Sequence, residues 1–254
     1  MTNTILRSGI VIAAMVGCMQ VGFGQQKFMV GAKGGIDVPN LTAKGDANNP
    51  VSQGWSSRLG PYFGLVAIYE VKESFSIQAE LNYSSQGGKK NGKQAIPISD
   101  FTDNPPPGSP PYVYADFNTE AKFNYLELPI LAKWSWHLGG SARFFADAGP
   151  YFAYLLAAKN VTKGTTNFYM DEAETMPYLS QPINVDATED IKSSIKKFNV
   201  GIQAGVGISA AAPGGLIMLT IGGNYGFIPV QTDKNNGQND IGAVTVALGY
   251  LFRL

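Results

Sequence analysis

The chain has 254 residues, and its 19 Lys and Arg balance 19 Asp and Glu, so no excess of positive charge indicates a nucleic-acid partner. The single cysteine, Cys18, excludes a disulfide framework and a thiolate metal site. Thirty glycines and 11% aromatic residues are typical of a β-rich chain whose strands carry small side chains on one face.

The N-terminal segment has the pattern of a secretory signal peptide. A basic residue precedes an apolar stretch over residues 9–17, which is too short to span a bilayer as a helix, and small residues follow just before Gln25. We therefore expect residues 1–24 to be removed and residues 25–254 to form one domain, whose fold the strand pattern below indicates as an outer-membrane β-barrel. Lipidation at Cys18 is the alternative.

Alternation of apolar and polar residues predicts eight strands after this segment. In the last strand, Val244, Val246 and Leu248 alternate with small or polar residues, and the run ends on Tyr250 and Phe252. An exposed aromatic edge would promote aggregation of a soluble protein, whereas barrel closure pairs the edge and lipid covers its apolar face. The predicted strands are Phe28–Val38, Leu59–Val71, Phe75–Gln86, Glu120–Trp136, Ala142–Ala157, Ile195–Ala210, Leu216–Ile228 and residues 240–254.

Short and long connections alternate strictly along the chain. Three are hairpin-length turns, three are long loops and one, Pro229–Asp240, is of medium length. This rhythm predicts an all-β, eight-stranded antiparallel up-and-down transmembrane β-barrel, with both termini and the short turns in the periplasm. We expect the proline-rich stretch over residues 105–111 to be irregular and the acidic stretch over residues 170–190 to be mobile. The predicted extracellular loops are Pro39–Arg58, Gly87–Thr119 and Lys159–Lys192.

The polar face of these strands carries charges of both signs, which are costly against lipid but can pair inside a barrel. Because eight strands leave an interior filled by side chains, we predict a charge cluster that closes the lumen, in which Glu127 pairs with Lys133 or Arg143. A narrow ion path is the alternative for the same cluster, and a soluble carrier barrel is the alternative for the fold. The predicted interior charges are Lys33, Glu80, Glu127, Lys133, Arg143 and Asp147.

Aromatic residues near the strand ends of the apolar face predict girdles at the two membrane interfaces. The predicted interface aromatics are Tyr83, Trp134, Trp136, Tyr250 and Phe252.

Four segments carry a family resemblance: Val30–Leu41, Phe75–Gly87, Phe123–Ile130 and Phe145–Leu155. They resemble the PorT-family outer-membrane β-barrel proteins of Bacteroidetes over essentially the whole mature chain. The resemblance implies an outer-membrane location and an eight-stranded barrel. It implies little about activity: the family's namesake is linked to type IX protein secretion, but barrel motifs alone do not carry that role.

The sequence contains no persuasive catalytic, cofactor or metal motif. Gly87–Lys93 has a phosphate-loop spacing, but the proline run forbids the helix that should follow, and Gly205–Ala210 matches a dinucleotide fingerprint in the middle of a strand. The only histidine, His137, lies in a short turn beside Trp134 and Trp136, which indicates interface anchoring. The acidic stretch lacks a fixed Ca²⁺-ligand spacing. We therefore predict no enzyme activity, cofactor or bound metal.

The function that this reading favours is a structural or interaction role in the outer membrane, carried by the long exterior loops. The expected partners are outer-membrane lipid, the barrel-assembly machinery through the C-terminal strand, and a protein at the extracellular loops. The alternatives are a narrow pore for ions or small solutes, a component associated with protein secretion and, least favoured, a lipid-modifying outer-membrane enzyme.

Overall fold

The computed structural model describes residues 27–44, 49–100, 103–105, 107–234 and 237–254. The expected signal peptide and Cys18 lie outside the described residues. Within these ranges, two short 3₁₀ helices, Ile98–Asp100 and Lys192–Ser194, interrupt an otherwise all-β structure. The strands are β1 (Phe28–Ala43), β2 (Gly60–Lys72), β3 (Phe75–Lys90), β4 (Lys93–Pro97), β5 (Tyr112–Asp116), β6 (Asn118–Gly139), β7 (Ala142–Lys163), β8 (Thr165–Thr166), β9 (Phe168–Tyr169), β10 (Ile183–Asn184), β11 (Ala187–Asp190), β12 (Phe198–Ala212), β13 (Gly215–Gly226) and β14 (Asn239–Arg253).

Eight of these strands form a closed antiparallel ring in the order β1, β2, β3, β6, β7, β12, β13 and β14. The ring closes where β14 pairs back with β1, with Val246 opposite Ile36 and Thr245 opposite Asp37. Closure leaves no unpaired edge among these strands, which is what a lipid environment demands of a sheet. The fold is the predicted eight-stranded up-and-down transmembrane β-barrel.

The two faces of each barrel strand differ as the alternation predicts. On β14, Leu248 is 59% exposed on the outside, whereas Ala247 and Leu251 are 3% and 0% exposed on the inside. The same alternation holds on β6, where Leu128 and Ile130 are exposed and Glu127 is buried. The barrel therefore has an apolar outer surface and a packed interior.

Six aromatic pairs divide into two belts on the outer surface. On β7, Phe144 of one belt and Tyr154 of the other are ten residues apart. At about 3.3 Å per residue and a tilt of about 40°, the belts are ~25 Å apart, which is the height of the apolar band of an outer-membrane barrel. The turn-end belt comprises Phe75–Trp134, Trp136–Phe144 and Tyr250–Phe252, and the loop-end belt comprises Phe63–Tyr83, Tyr154–Phe198 and Tyr225–Phe227.

Several strands continue beyond the belts, further than the sequence indicated. β6 and β7 have 22 residues each, about twice the 9–11 that a membrane crossing needs. β7 ends at Lys163 instead of Ala157, and β3 ends at Lys90 instead of Gln86. The apolar alternation fades there because no lipid contacts the outer face, so the pattern no longer marks the strand. By contrast, β12, the neighbour of β7, begins later than predicted, at Phe198 instead of Ile195.

The protruding strands support a small sheet at the long-loop end. β4, β5 and β9 form three antiparallel strands, and β11 extends the barrel sheet by pairing with β7. The small sheet has its own apolar core, formed by Ile98, Val113, Ala115 and Phe168. The acidic stretch over residues 170–190, expected to be mobile, contains β10 and all of β11. No helix among the described residues is long and apolar enough to cross a membrane.

The outer face of β14 provides a test of membrane insertion. Val246→Arg places a charge midway between the belts, and we expect a loss of about 2–4 kcal/mol in the free energy of unfolding. Thr188→Arg adds the same charge on exposed β11, beyond the belts, and we expect a change within about 0.5 kcal/mol. Urea unfolding in lipid vesicles measures both. Equal losses for the two variants would contradict the membrane assignment of this face.

Candidate functional site

The barrel interior is the candidate site, because it holds the buried charges that the sequence singled out. Along the inner face of β7, Phe145, Asp147 and Tyr151 follow one another from the turn end upward, and each belongs to a different layer. Phe145 lies in an apolar layer near the short turns, and Tyr151 lies in a larger apolar layer near the loops. A polar layer that contains Asp147 separates the two.

An ion pair lies at the centre of the polar layer. The Nζ atom of Lys33 on β1 donates a hydrogen bond of 2.7 Å to Oε2 of Glu80 on β3, and their side chains are only 4% and 1% exposed. The amides of Gln78 and Asn82 donate hydrogen bonds of 2.6 and 2.8 Å to the same carboxylate. A buried pair is stable only when its remaining lone pairs are satisfied, and these amides satisfy them.

Two further carboxylates are held by neutral donors. Asp37 accepts hydrogen bonds of 2.5 Å from the hydroxyls of Ser84 and Thr245. Glu127, which we expected to pair with Lys133 or Arg143, instead accepts hydrogen bonds from the amides of Gln86, at 2.6 Å, and of Asn224, at 3.2 Å. The pairing prediction for Glu127 was wrong because interior contacts are made across the lumen as well as between neighbouring strands.

Lys133 and Arg143 lie closer to the short turns than the central pair. Nζ of Lys133 donates to Gln78 Oε1 at 3.0 Å, and it lies 3.6 Å from the centroid of the Phe145 ring. Arg143 is at the rim, where it donates to the backbone carbonyl of Glu73 at 3.1 Å. Arg143 is therefore separate from the central cluster, whereas Lys33 and Glu80 form the centre of that cluster.

Asp147 lines a small cavity of about 20 Å³ in the polar layer, together with Lys33, Glu80 and Gln203. Its Oδ2 atom is buried and has no hydrogen-bond partner among the described residues. The cavity has room for about one water molecule, which is what an unpaired buried carboxylate oxygen requires. Side chains therefore fill the polar layer around a space of about one water molecule.

Glycines of β12 make room for the bulkiest interior side chains. Gly207 lies opposite Phe145 in the register, and Gly201 lies opposite Tyr151. A Cβ atom at these positions would lie 2.3 Å from Phe145 Cζ and 2.6 Å from Tyr151 Cε1. Gly207, one of the glycines that gave β12 its resemblance to a dinucleotide fingerprint, is thus a packing residue.

Of the aromatic side chains inside the barrel, only Tyr125 was placed on the inner face by the strand alternation. Tyr62, Tyr125 and Tyr151 are almost completely buried, although the sequence analysis assigned bulky residues mainly to the lipid face. Their strand phase was the available signal: Tyr125 is two residues from Glu127, so it shares the inner face. The interior is therefore a mixture of rings, amides and charges.

The described residues contain no arrangement that suggests catalysis. No group of three or more His, Cys, Asp or Glu among them could hold a metal ion. Nε2 of His137 lies 3.5 Å from Glu73 Oε1, with a side chain that is 58% exposed, and no hydrogen bond joins the imidazole to a serine in the part of the chain that the structure describes. Gly87–Lys90 belongs to β3, so the phosphate-loop spacing there belongs to a strand.

The central ion pair generates a stability prediction. Either Lys33→Met or Glu80→Gln leaves one buried charge unpaired, and we expect each to lower the free energy of unfolding by about 3–5 kcal/mol. The double variant removes both charges and should lose less than the sum of the single losses. Denaturant unfolding of the folded barrel measures all three.

Lys122 is the matched control for this experiment. Its Nζ atom lies 3.0 Å from Glu120 Oε2, but both side chains are more than one third exposed. We expect Lys122→Met to cost at most about 1 kcal/mol. Losses at Lys33 that are no larger than at Lys122 would show that burial does not strengthen the central pair.

Comparison with solved structures found several outer-membrane proteins of low similarity. Neisserial surface protein A has 11% identity and a TM-score of 0.41, with 90% of this chain and 97% of that chain covered. OprG from Pseudomonas aeruginosa has 10% identity, a TM-score of 0.40 and coverages of 90% and 97%. The attachment invasion locus protein Ail of Yersinia pestis has 10% identity, a TM-score of 0.37 and coverages of 89% and 99%. No curated protein matches the sequence.

Membership of a family follows from the sequence match. The family described as the outer membrane protein beta-barrel domain matches residues 23–231, which is most of the chain. The match includes seven of the eight barrel strands. The chain therefore belongs to the outer membrane protein beta-barrel domain family, whose place is the bacterial outer membrane.

Proposed function

We propose that this protein is a non-catalytic outer-membrane barrel with a closed lumen, which acts through a protein-binding surface at its long-loop end. In this proposal the barrel anchors and orients that surface on the cell exterior. The observation that carries the proposal is the ordered small sheet at the ends of the protruding strands. A barrel that served only as a membrane anchor would not need strands twice as long as the membrane crossing.

The small sheet has features of a rigid recognition platform. Val113 and Ala115 are completely buried in its core, so its strands are held by packing as well as by backbone hydrogen bonds. Two exposed methionines, Met170 and Met176, lie next to the small sheet, since Met170 directly follows β9. The backbone N–H group of Met170 donates a hydrogen bond of 2.8 Å to the backbone carbonyl of Met176. Flexible thioether side chains suit contact with a protein partner.

The proposed orientation is the one expected from outer-membrane barrels, with short turns and both termini in the periplasm and long loops outside. It agrees with delivery by a signal peptide over residues 1–24. It also leaves the aromatic end of β14 accessible to the barrel-assembly machinery. The finer relationship to the PorT family of Bacteroidetes is part of this proposal, and it rests on the resemblance of the segments around β1, β3, β6 and β7.

Three alternatives receive less support. The central ion pair and the two apolar layers obstruct the path that a pore would require. The exposed His137 lacks the geometry of a general base beside a nucleophile. A role in protein secretion rests on the family resemblance and has no specific residue to support it.

The orientation can be tested with two serine-to-cysteine variants. Ser180→Cys lies in the long loop after β9, and Ser74→Cys lies in the short turn between β2 and β3; both positions are exposed. On intact cells, a membrane-impermeant maleimide should label position 180 and leave position 74 unlabelled. Both positions should react after the outer membrane is permeabilised. Labelling of position 74 alone on intact cells would reverse the proposed orientation.

Closure of the lumen can be tested by electrical recording. Purified protein inserted into a planar bilayer should give no steady current, because the polar layer has room for about one water molecule and apolar layers lie on both sides. A general porin added to the same bilayer is the positive control. A steady current that scales with the number of inserted molecules would favour the pore alternative.

A further inference from the structure

A second cavity opens at the short-turn end of the barrel, below the turn-end apolar layer. We call it the turn-end cavity; its volume is about 170 Å³, much larger than that of the central cavity. Strands β6, β7, β12 and β14 each contribute a polar residue, so it occupies the mouth of the barrel. Its polar lining residues include Glu70, Ser76, Lys133, Arg143, Ser209 and Arg253.

Positive charge predominates in the turn-end cavity. Lys133, Arg143 and Arg253 line it, against one lining carboxylate, Glu70. A second carboxylate, Glu73, lies at the rim, with Oε1 3.6 Å from Arg143 Nη2, but its side chain is 75% exposed. An exposed partner of this kind is held weakly and can move into solvent. The cavity therefore attracts anions and repels cations.

The ammonium group of Lys133 marks the inner end of the cavity. Lys133 is 4% exposed, and the ion pairs found in the described part of the chain do not include it. Its Nζ atom contacts the Gln78 amide oxygen and the Met218 sulfur, each at 3.0 Å. Asp147 lies directly opposite Lys133 in the register of β6 and β7, but no salt bridge joins the two side chains in the described residues. The ammonium group therefore keeps donor capacity for an anionic ligand.

Serine hydroxyls supply neutral donors around this charge. Ser76 lies directly opposite Lys133 across β3 and β6, and Ser209 lies directly opposite Arg143 across β7 and β12. Both serines are buried, and within the described ranges neither side chain makes a hydrogen bond to protein. Hydroxyls, guanidinium groups and an ammonium group together form a donor set that matches a tetrahedral oxyanion with several acceptor oxygens.

We infer that the turn-end cavity binds a phosphate group, with Lys133 at its inner end, Arg143 and Arg253 at its mouth and Ser76 and Ser209 as neutral donors. The volume accommodates a phosphate or the phosphate of a small ester. This site is at the end opposite the proposed protein-binding surface and does not depend on it. The phosphate could come from a soluble phosphate ester or from a lipid headgroup, since both carry the same oxyanion.

The test is calorimetric titration of the folded full-length mature chain in a non-ionic detergent at low ionic strength. Inorganic phosphate should bind at one saturable site with a Kd of about 1 mM or tighter. The double variant Arg143→Gln/Arg253→Gln should raise the Kd at least about tenfold, because it removes both charges at the mouth. Lys133→Met should abolish binding if the variant folds, as judged by heat-modifiable migration on a gel.

A matched control removes two positive charges elsewhere at the same end of the barrel. Lys27→Gln/Lys72→Gln changes the net charge equally at two exposed positions that do not line the cavity. We expect its Kd to stay within about twofold of the unmodified protein. Absence of saturable binding, or equal weakening in the two double variants, would overturn the inference.

Two further ligands distinguish the sources of the phosphate. Glycerol 3-phosphate represents a soluble phosphomonoester, and glycerophosphoglycerol represents the deacylated headgroup of phosphatidylglycerol. Tighter binding of the monoester supports a soluble ligand, because a monoester presents three terminal oxygens and more negative charge. Binding of the diester at least as tightly supports a lipid headgroup.

Discussion

The structure depends on the closure of β14 against β1. In a bilayer every backbone N–H and C=O group must find a partner within the protein, so a sheet is stable there only when its first and last strands pair. The fifteen residues from Asn239 to Arg253, which form β14, provide this pairing. They convert a meander with two exposed edges into a ring with none.

Closure with eight strands also determines the character of the interior. The lumen is too narrow for a wide aqueous channel and too wide to be filled by small side chains alone. Three layers of side chains fill the interior: two apolar layers and a polar layer between them. The large rings of the apolar layers lie opposite glycines of β12. The buried Lys33–Glu80 pair is tolerated because amides from the same polar layer complete its hydrogen bonding.

The two ends of the barrel differ in structure. At the loop end, β3, β6 and β7 extend past the aromatic belts and carry a small sheet with its own core. At the turn end, the hairpins are short, and the mouth remains open as a cavity with an excess of positive charge. The two apolar layers and the polar layer lie between these ends.

The sequence by itself determined the barrel: period-two alternation, the rhythm of short and long connections and the aromatic C-terminal strand depend only on local pattern and length. It also placed Lys33, Glu80, Glu127, Lys133 and Asp147 on the inner face. Only the tertiary structure decided their partners. Contacts across a closed lumen depend on the stagger of the strands and on the position of each side chain along the barrel axis, and alternation encodes neither. The small sheet could not be predicted from the sequence either. Its strands pair over long distances in sequence, and they lack the lipid-facing alternation that marks a barrel strand.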